Sequence, residues 1–285
     1  MKSSSFDSDD RSTVQRVVSL LLAVGCAGEE VTLAQLTRTI GLPKPTVHRI
    51  AGNLVKQRLL EKTSRGYRLG ILLFELGQHI PMWRDLRIRA VPFLLDIYES
   101  TKQPVMLGVL DGHEVLHLEV LGGHGSRIPP ATGFRIPAHA TAMGKVLLAH
   151  SRTAHERSSL NLHPVTPHTI VIPQLLEREL EQVRADGVAF DREECLLGIN
   201  CVAAPIMEGR SATCIGAVSV ATPHAGNLTR LSLAIRTAAS GISRSVARSE
   251  RHPHATEMGM SSAPYRTRTR PDPPVQLGLP RASGS

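Results

Sequence analysis

Two constellations of residues in this chain have types and spacings suited to chemistry. Lys44, Thr46, His48, Arg49, Asn53 and Lys56 fall on one side of a 3.6-residue period, and Val47, Ile50, Ala51 and Leu54 fall on the other. A helix divided in this way can bury its apolar side and lay its cations, hydroxyl and amide into the major groove of a duplex. Arg49 suits a bidentate bond to guanine, whereas Lys44, Thr46 and His48 suit the backbone contacts that set register. The second constellation is IPAHATAMGK, residues 136–145. A helix start near His139 to Met143 would present free N–H groups and the positive end of a dipole, a combination that holds a carboxylate or phosphate. Ala138, Ala140, Ala142 and Gly144 are small enough to let a ligand approach the backbone. Asp191, Cys201 and Ser219 could add polar contacts, and Ile128, Ile136, Met143 and Ile199 apolar walls.

The first constellation needs a scaffold, and the flanking sequence predicts one. Ser12 with Gln15 forms a capping box that starts a helix, in which Val14, Val17, Val18, Leu21 and Leu22 share a face. Gly25 and Gly28 close it. Thr32 caps a short helix with Leu33, Leu36 and Ile40 inside, and Gly41 supplies the turn. Pro43 and Pro45 fit the first turn of the next helix, where a missing N–H costs little. Leu60–Lys62 and Tyr67–Leu69 flank a polar turn and predict a β-hairpin. This order is that of a winged helix-turn-helix, and it places Arg65, Tyr67 and Arg68 on the wing beside the DNA backbone or minor groove.

Charge supports the same division. Residues 1–70 hold 11 Lys/Arg against 6 Asp/Glu, while residues 71–249 hold 17 against 16. A basic module on a near-neutral body suits a polyanionic partner for the first part only. The four cysteines, Cys26, Cys195, Cys201 and Cys214, lack metal or redox spacing and are expected to be reduced thiols. No apolar run approaches the length of a membrane span, and the N-terminus MKSSSFDSDDRS is polar and acidic, so a cytoplasmic protein is expected.

Between the two halves, ILLFELGQHIPMW is apolar on more than one side through Leu72, Leu73, Phe74, Leu76, Ile80 and Trp83. Such a linker helix could lie on its own core or pack against its copy in a second subunit. The second reading is preferred, because a dimer matches a palindromic site. Pro81 should bend or end this helix, and Asp85 should start another carrying Leu86, Val91, Leu94, Leu95 and Tyr98. Beyond it, residues 104–110 and 114–121 predict a hairpin around Asp111-Gly112. Helices are expected over 140–150, over 174–186 with Leu175, Leu176, Leu180 and Val183 inside, and over 228–248. NCVAAPIM and CIGAVSVAT predict strands. The expected division is a disordered 1–11, a DNA-binding domain over 12–70, a linker helix over 71–84, an effector-binding domain over 85–249 and a disordered Pro/Arg-rich tail over 250–285.

Catalysis finds little support. There is no G-x-S-x-G, and H-E-x-x-H occurs once, at residues 113–117, where the alternating apolar residues favour a strand over the helix that this motif requires. His113 and His117 on a strand would stand roughly 13 Å apart, too far for one metal ion. Lys145 follows Gly144, but the glycine spacing of a phosphate loop is missing. No cofactor or metal is implied. Each effector candidate also has a plainer role: His139 as a cap, Asp191 as a turn residue, the cysteines as small core residues. A DNA-binding protein without an effector therefore stays open as an alternative.

LAQLTRTIGLPKPTVHRIAGNLVKQRLLEK with GYRLG resembles the DNA-binding half of the IclR family of bacterial transcriptional regulators. GFRIPAHATAMGKVLLA, residues 133–149, resembles the family's central motif, and residues 191–223 resemble its C-terminal signature. The resemblance spans about residues 12–248. It implies an α+β chain: a winged helix-turn-helix, a linker helix, and a GAF-like α/β domain with an antiparallel sheet. It also implies binding to pseudo-palindromic promoter DNA as a homodimer or dimer of dimers, modulated by a small organic-acid effector. Carried over position by position, the effector pocket falls on Ile128, Ile136, Ala142, Met143, Asp191, Ile199, Cys201, Ser219 and Ala221. Two positions depart from the family: Pro45 stands where a small hydroxyl residue is common, and Ala221 where some relatives carry a hydroxyl.

Overall fold

The computed structural model describes residues 12–28, 30–122, 132–151, 160–209, 213–223 and 228–250. The expectations for residues 1–11, for Ile128 and for the tail from residue 251 lie outside these. Three helices, α1 (Thr13–Cys26), α2 (Leu33–Ile40) and α3 (Lys44–Lys56), precede a hairpin of β1 (Leu60–Lys62) and β2 (Tyr67–Leu69). Both predicted capping boxes form: Ser12 with Gln15 on α1, and Thr32 with Gln35 on α2. Gly41 ends α2 at φ 73°, a left-handed backbone that glycine adopts without strain. One core joins the five elements, built from Leu20, Val24, Leu36, Ile40, Val47, Ile50, Ala51, Leu54, Leu60 and Tyr67 among others.

The expected inner face of α1 is corrected in part: Val17 and Leu21 pack against the core as expected. Leu20 and Val24 turn inward, while Val14, Val18 and Leu22 are 70%, 46% and 62% exposed. Their i, i+4, i+8 spacing makes a second apolar stripe on the outside of the module.

The linker region forms two helices. α4 (Ile71–Gln78) buries none of its residues, and α5 (Pro81–Thr101) follows after His79 and Ile80. α5 thus starts at Pro81, not at Asp85, because proline is tolerated at the first helical position. It runs on through Pro92, whose ring lies on the exposed side. Its inner face is Leu86, Ala90, Leu94 and Ile97, so Leu95, expected inside, is exposed.

The second body is a six-stranded sheet in the order β5-β4-β3-β8-β7-β6, with every neighbouring pair antiparallel. The strands are β3 (Val105–Asp111), β4 (Glu114–Leu121), β5 (Arg135–Pro137), β6 (Ala189–Arg192), β7 (Asn200–Met207) and β8 (Cys214–Thr222). On one face lie α5 and the last helix, α8 (Leu228–Glu250), around Leu107, Val109, Val202, Val218 and Ile235. On the other lie α6 (Ala142–Ala149) and α7 (Pro173–Asp186), around Met106, Val115, Val146, Leu180 and Ala203. Helices on both faces explain why β7 and β8 are apolar almost throughout rather than alternating. Leu175 is exposed instead of inside, since α7 turns Leu176, Leu180 and Val183 to the sheet.

Candidate nucleic-acid interface and ligand cavity

All four residues expected on the inner face of α3 are buried, and this orients the opposite face outward. Lys44, His48, Arg49, Asn53 and Lys56 are exposed or half-buried on that side, and Thr46 is half-buried. The helix opens after Pro43 with no side-chain cap, and Pro45 sits in its first turn. Its N-terminal end therefore carries the positive pole of the helix with Lys44 beside it. On the wing, Arg65 is exposed in the turn. Arg68 pairs across the hairpin with Glu61 through Nε–Oε2 at 3.0 Å and a terminal nitrogen to Oε1 at 2.9 Å. Tyr67 is a correction. Its backbone exchanges hydrogen bonds with Val31, and its ring is packed in the domain core, so it supports the wing from within instead of touching DNA.

The second constellation converges as a cavity of about 80 Å³ on the α6–α7 side of the sheet. Of the nine residues expected there, Ile136, Ala142, Met143, Asp191, Cys201 and Ser219 line it. Ile199 and Ala221 belong to the surrounding core cluster, and Ala221 pairs with Cys201 across β7 and β8. Ile128 lies outside the described residues. Sequence reasoning missed Met106, His117, Phe134, Thr141, Cys195 and Leu196, which also line the space.

The helix start at the cavity is built differently from expectation. His139 lies in a 3-10 turn, Ala138–Ala140, and donates from Nε2 to the His163 carbonyl at 2.9 Å. Thr141 is the cap: its hydroxyl accepts the Gly144 N–H at 3.0 Å. The N–H groups of Ala142 and Met143 have no partner within the helix, and both residues border the cavity. Gly144 serves packing and not ligand access. A Cβ there would collide with the Ala138 carbonyl, so the turn and the helix can cross only at glycine.

Asp191 lies on β6, not in a turn, and is 2% exposed. Its Oδ1 accepts N–H bonds from Glu194 at 2.7 Å and Cys195 at 3.4 Å. Burial nevertheless pushes its carboxyl up to about 7, with the Glu194 charge adding to the rise and Lys145 opposing it. Near neutral pH a substantial share of Asp191 is therefore protonated and can donate a hydrogen bond. Burial likewise raises the Cys195 and Cys201 thiols, which keeps them protonated and poor as nucleophiles. Lys145, fully buried, holds this wall in place. Its Nζ donates to Glu194 Oε1 at 2.6 Å, to the Phe190 carbonyl at 3.0 Å and to Glu179 Oε1 at 3.4 Å. It thus ties α6 to the 191–196 segment that lines the cavity. Among the described residues no cluster of His, Cys, Asp and Glu could hold a metal ion, and no helix is long and apolar enough to cross a membrane.

Comparison with known proteins covers both bodies. Residues 13–64 match the family model described as the IclR helix-turn-helix domain, and residues 81–244 match the one described as bacterial transcriptional regulator IclR C-terminal. The chain is 32% identical over 216 residues to the HTH-type transcriptional regulator XynR of Escherichia coli K12, across 74% of this chain and 85% of that protein. It is also similar to a crystal structure of an IclR homolog from Microbacterium hydrocarbonoxydans complexed with 4-hydroxybenzoate. That match has a TM-score of 0.75 and 28% identity, over 83% of this chain and 100% of the other. The IclR structure from Thermotoga maritima matches at a TM-score of 0.67 and 25% identity, over 82% of this chain and 98% of that one.

Proposed function

Because this chain belongs to the IclR family of bacterial transcriptional regulators, we propose that it reads a pseudo-palindromic promoter site as a homodimer and releases or re-poses on it when a small organic acid fills the cavity. Arg49 reads a guanine edge from α3, with Asn53 beside it. Lys44, Thr46, His48, Arg65 and Arg68 hold the phosphates. The acid's carboxylate rests against the Ala142 and Met143 N–H groups and the neutral carboxyl of Asp191, with Ile136, Met143 and the α6 side of the sheet around its apolar part. Two copies associate through the outer stripe of α1, Val14, Val18 and Leu22, together with Ile71, Phe74 and Leu76 of α4, all exposed in the single chain. A dimer of dimers is compatible with the same surfaces.

The observation that carries this reading is the connection between the two sites. The start of α4 is joined to the DNA-binding module by backbone bonds, Gly70 N–H to the Leu59 carbonyl at 2.9 Å and Leu72 N–H to the Arg58 carbonyl at 3.3 Å, with an exposed Arg58–Glu75 pair at 2.8 Å beside them. Arg87 of α5 pairs with Glu119 of β4 at 2.6 Å, so α5 travels with the sheet. Only His79 and Ile80 separate the two helices. A ligand that shifts the sheet under α5 moves this junction, and it changes DNA binding to the extent that its affinity differs between the two poses. The test is fluorescence anisotropy of a duplex from the protein's own promoter region, titrated with and without small carboxylic acids. The acid 4-hydroxybenzoate, bound by the Microbacterium relative, is the first candidate. An acid that binds the protein and leaves the duplex affinity unchanged refutes the sensor reading and favours a ligand-independent regulator.

A further inference from the structure

Resting on the effector reading above, we infer that His117 is the specificity residue of the cavity, and that it selects an acid carrying a hydroxyl donor at the end remote from its carboxylate. His117 is 5% exposed and lines the cavity. Its Nδ1 lies 3.1 Å from the Phe134 carbonyl oxygen. A carbonyl can only accept, so Nδ1 carries the hydrogen and Nε2 of the neutral ring is a bare acceptor. Burial lowers the tendency of this ring to take a second proton, more than the bond to Phe134 raises it. Nδ1 accounts for the only hydrogen bond of the ring among the described residues. Nε2 is not closed off from solvent, and His117 borders the cavity, so an occupant that displaces water from this atom is favoured if it donates there and penalised if it does not.

The backbone shows how His117 reaches this position. Strand pairing runs Leu107 with Glu119 and then Gly108 with His117, so β4 carries an extra residue, Leu118, at a bulge. Leu118 packs with the α5–α8 core, and Glu119 meets Arg87 of α5. The bulge therefore puts two consecutive residues on the α5 side and keeps His117 and Val120 toward α6. The first turn of α6 is near. A Cβ on Gly108, the strand partner of His117, would lie 3.2 Å from Met143 Sδ. Ala142, Met143 and His117 border one cavity, so a short ligand with its carboxylate at the start of α6 brings its far end to His117. Met106, Phe134, Ile136 and Met143 flank the stretch between, which suits a ring or a short alkyl chain.

The experiment measures binding of three matched probes to the full chain by calorimetry: 4-hydroxyphenylacetate, phenylacetate and 4-methoxyphenylacetate. The methoxy compound fills the space but cannot donate. The wild type should bind the hydroxy acid about tenfold more tightly than either of the others, the scale of one buried hydrogen bond. His117→Leu should bring the three affinities together while keeping the phenylacetate affinity. His117→Gln, which retains an acceptor, should keep part of the preference. Equal affinities in the wild type, or a preference that survives in His117→Leu, overturn the assignment of His117 and leave the effector reading intact. Failure of all three acids to bind overturns the assignment of a remote-hydroxyl acid to this cavity, while the effector reading stands or falls on the duplex titration above.

Discussion

Replacing Asp191 by Asn tests the electrostatics of the cavity wall. Burial holds the Asp191 carboxyl at about 7, against an ordinary 3.8 in the unfolded chain. The native protein therefore binds this proton more tightly than the unfolded chain does. The stability it contributes is complete below the unfolded value, falls as the pH rises from about 4 to about 7, and is gone above that. Between pH 5 and pH 8 the loss covers about two pH units, or about 3 kcal/mol at 1.36 kcal/mol per unit. The replacement amide cannot ionise, and its carbonyl can still accept the Glu194 and Cys195 N–H groups that Asp191 accepts. The Asp191→Asn variant should gain stability relative to the wild type by about 3 kcal/mol on going from pH 5 to pH 8. Urea unfolding of both proteins at the two pH values measures it. A stability difference that is the same at both, within about 0.5 kcal/mol, would refute the burial argument. The functional counterpart follows from the same proton: a neutral carboxyl can donate to a ligand carboxylate and an ionised one repels it, so acid affinity should fall as the pH rises through about 7.

Three further substitutions probe the remaining claims. Arg49→Ala should cost about 1–3 kcal/mol on the specific duplex and relax base preference at one position; an equal loss on random DNA, read by anisotropy, contradicts base reading. Ala142→Phe fills the space beside the α6 N-terminus and should abolish the response to acid while leaving DNA affinity without acid unchanged; a surviving response refutes the pocket assignment. Lys145→Met leaves Glu194 buried without its cation and should destabilise the chain by about 3–5 kcal/mol in urea. Lys145→Met with Glu194→Leu should recover part of that loss, and no recovery would show that Lys145 acts through packing alone.

The helix-turn-helix is legible in the sequence because its signals are local. Two capping boxes, one left-handed glycine and a 3.6-residue period specify α1 to α3 within a few residues each, and the inner face of α3 follows residue by residue. What the sequence conceals depends on longer-range geometry. α1 carries two apolar stripes, and nothing within the helix says that Leu20 and Val24, not Val14 and Val18, meet α2 and α3. β2 has three residues, too few for alternation to show that Tyr67 points inward, and its direction is set by the bridge to Val31. Six cavity residues are named from the sequence by their types, and the family resemblance is what groups residues 191–219 with residues 136–143. His117 escapes it because an unbroken strand gives no reason to single this residue out from Val115 and Glu119, and the bulge at Leu118 becomes visible only once β3 and β4 are paired.

The central claim is that the cavity and the α3 face are energetically coupled, and a binding cycle tests it most directly. Affinity for the promoter duplex is measured with and without a saturating acid, and affinity for the acid with and without duplex. The account predicts that the acid changes duplex affinity, that duplex changes acid affinity by the same factor, as linkage requires, and that Ala142→Phe removes both changes. Acid binding in the cavity with both factors equal to one would contradict it.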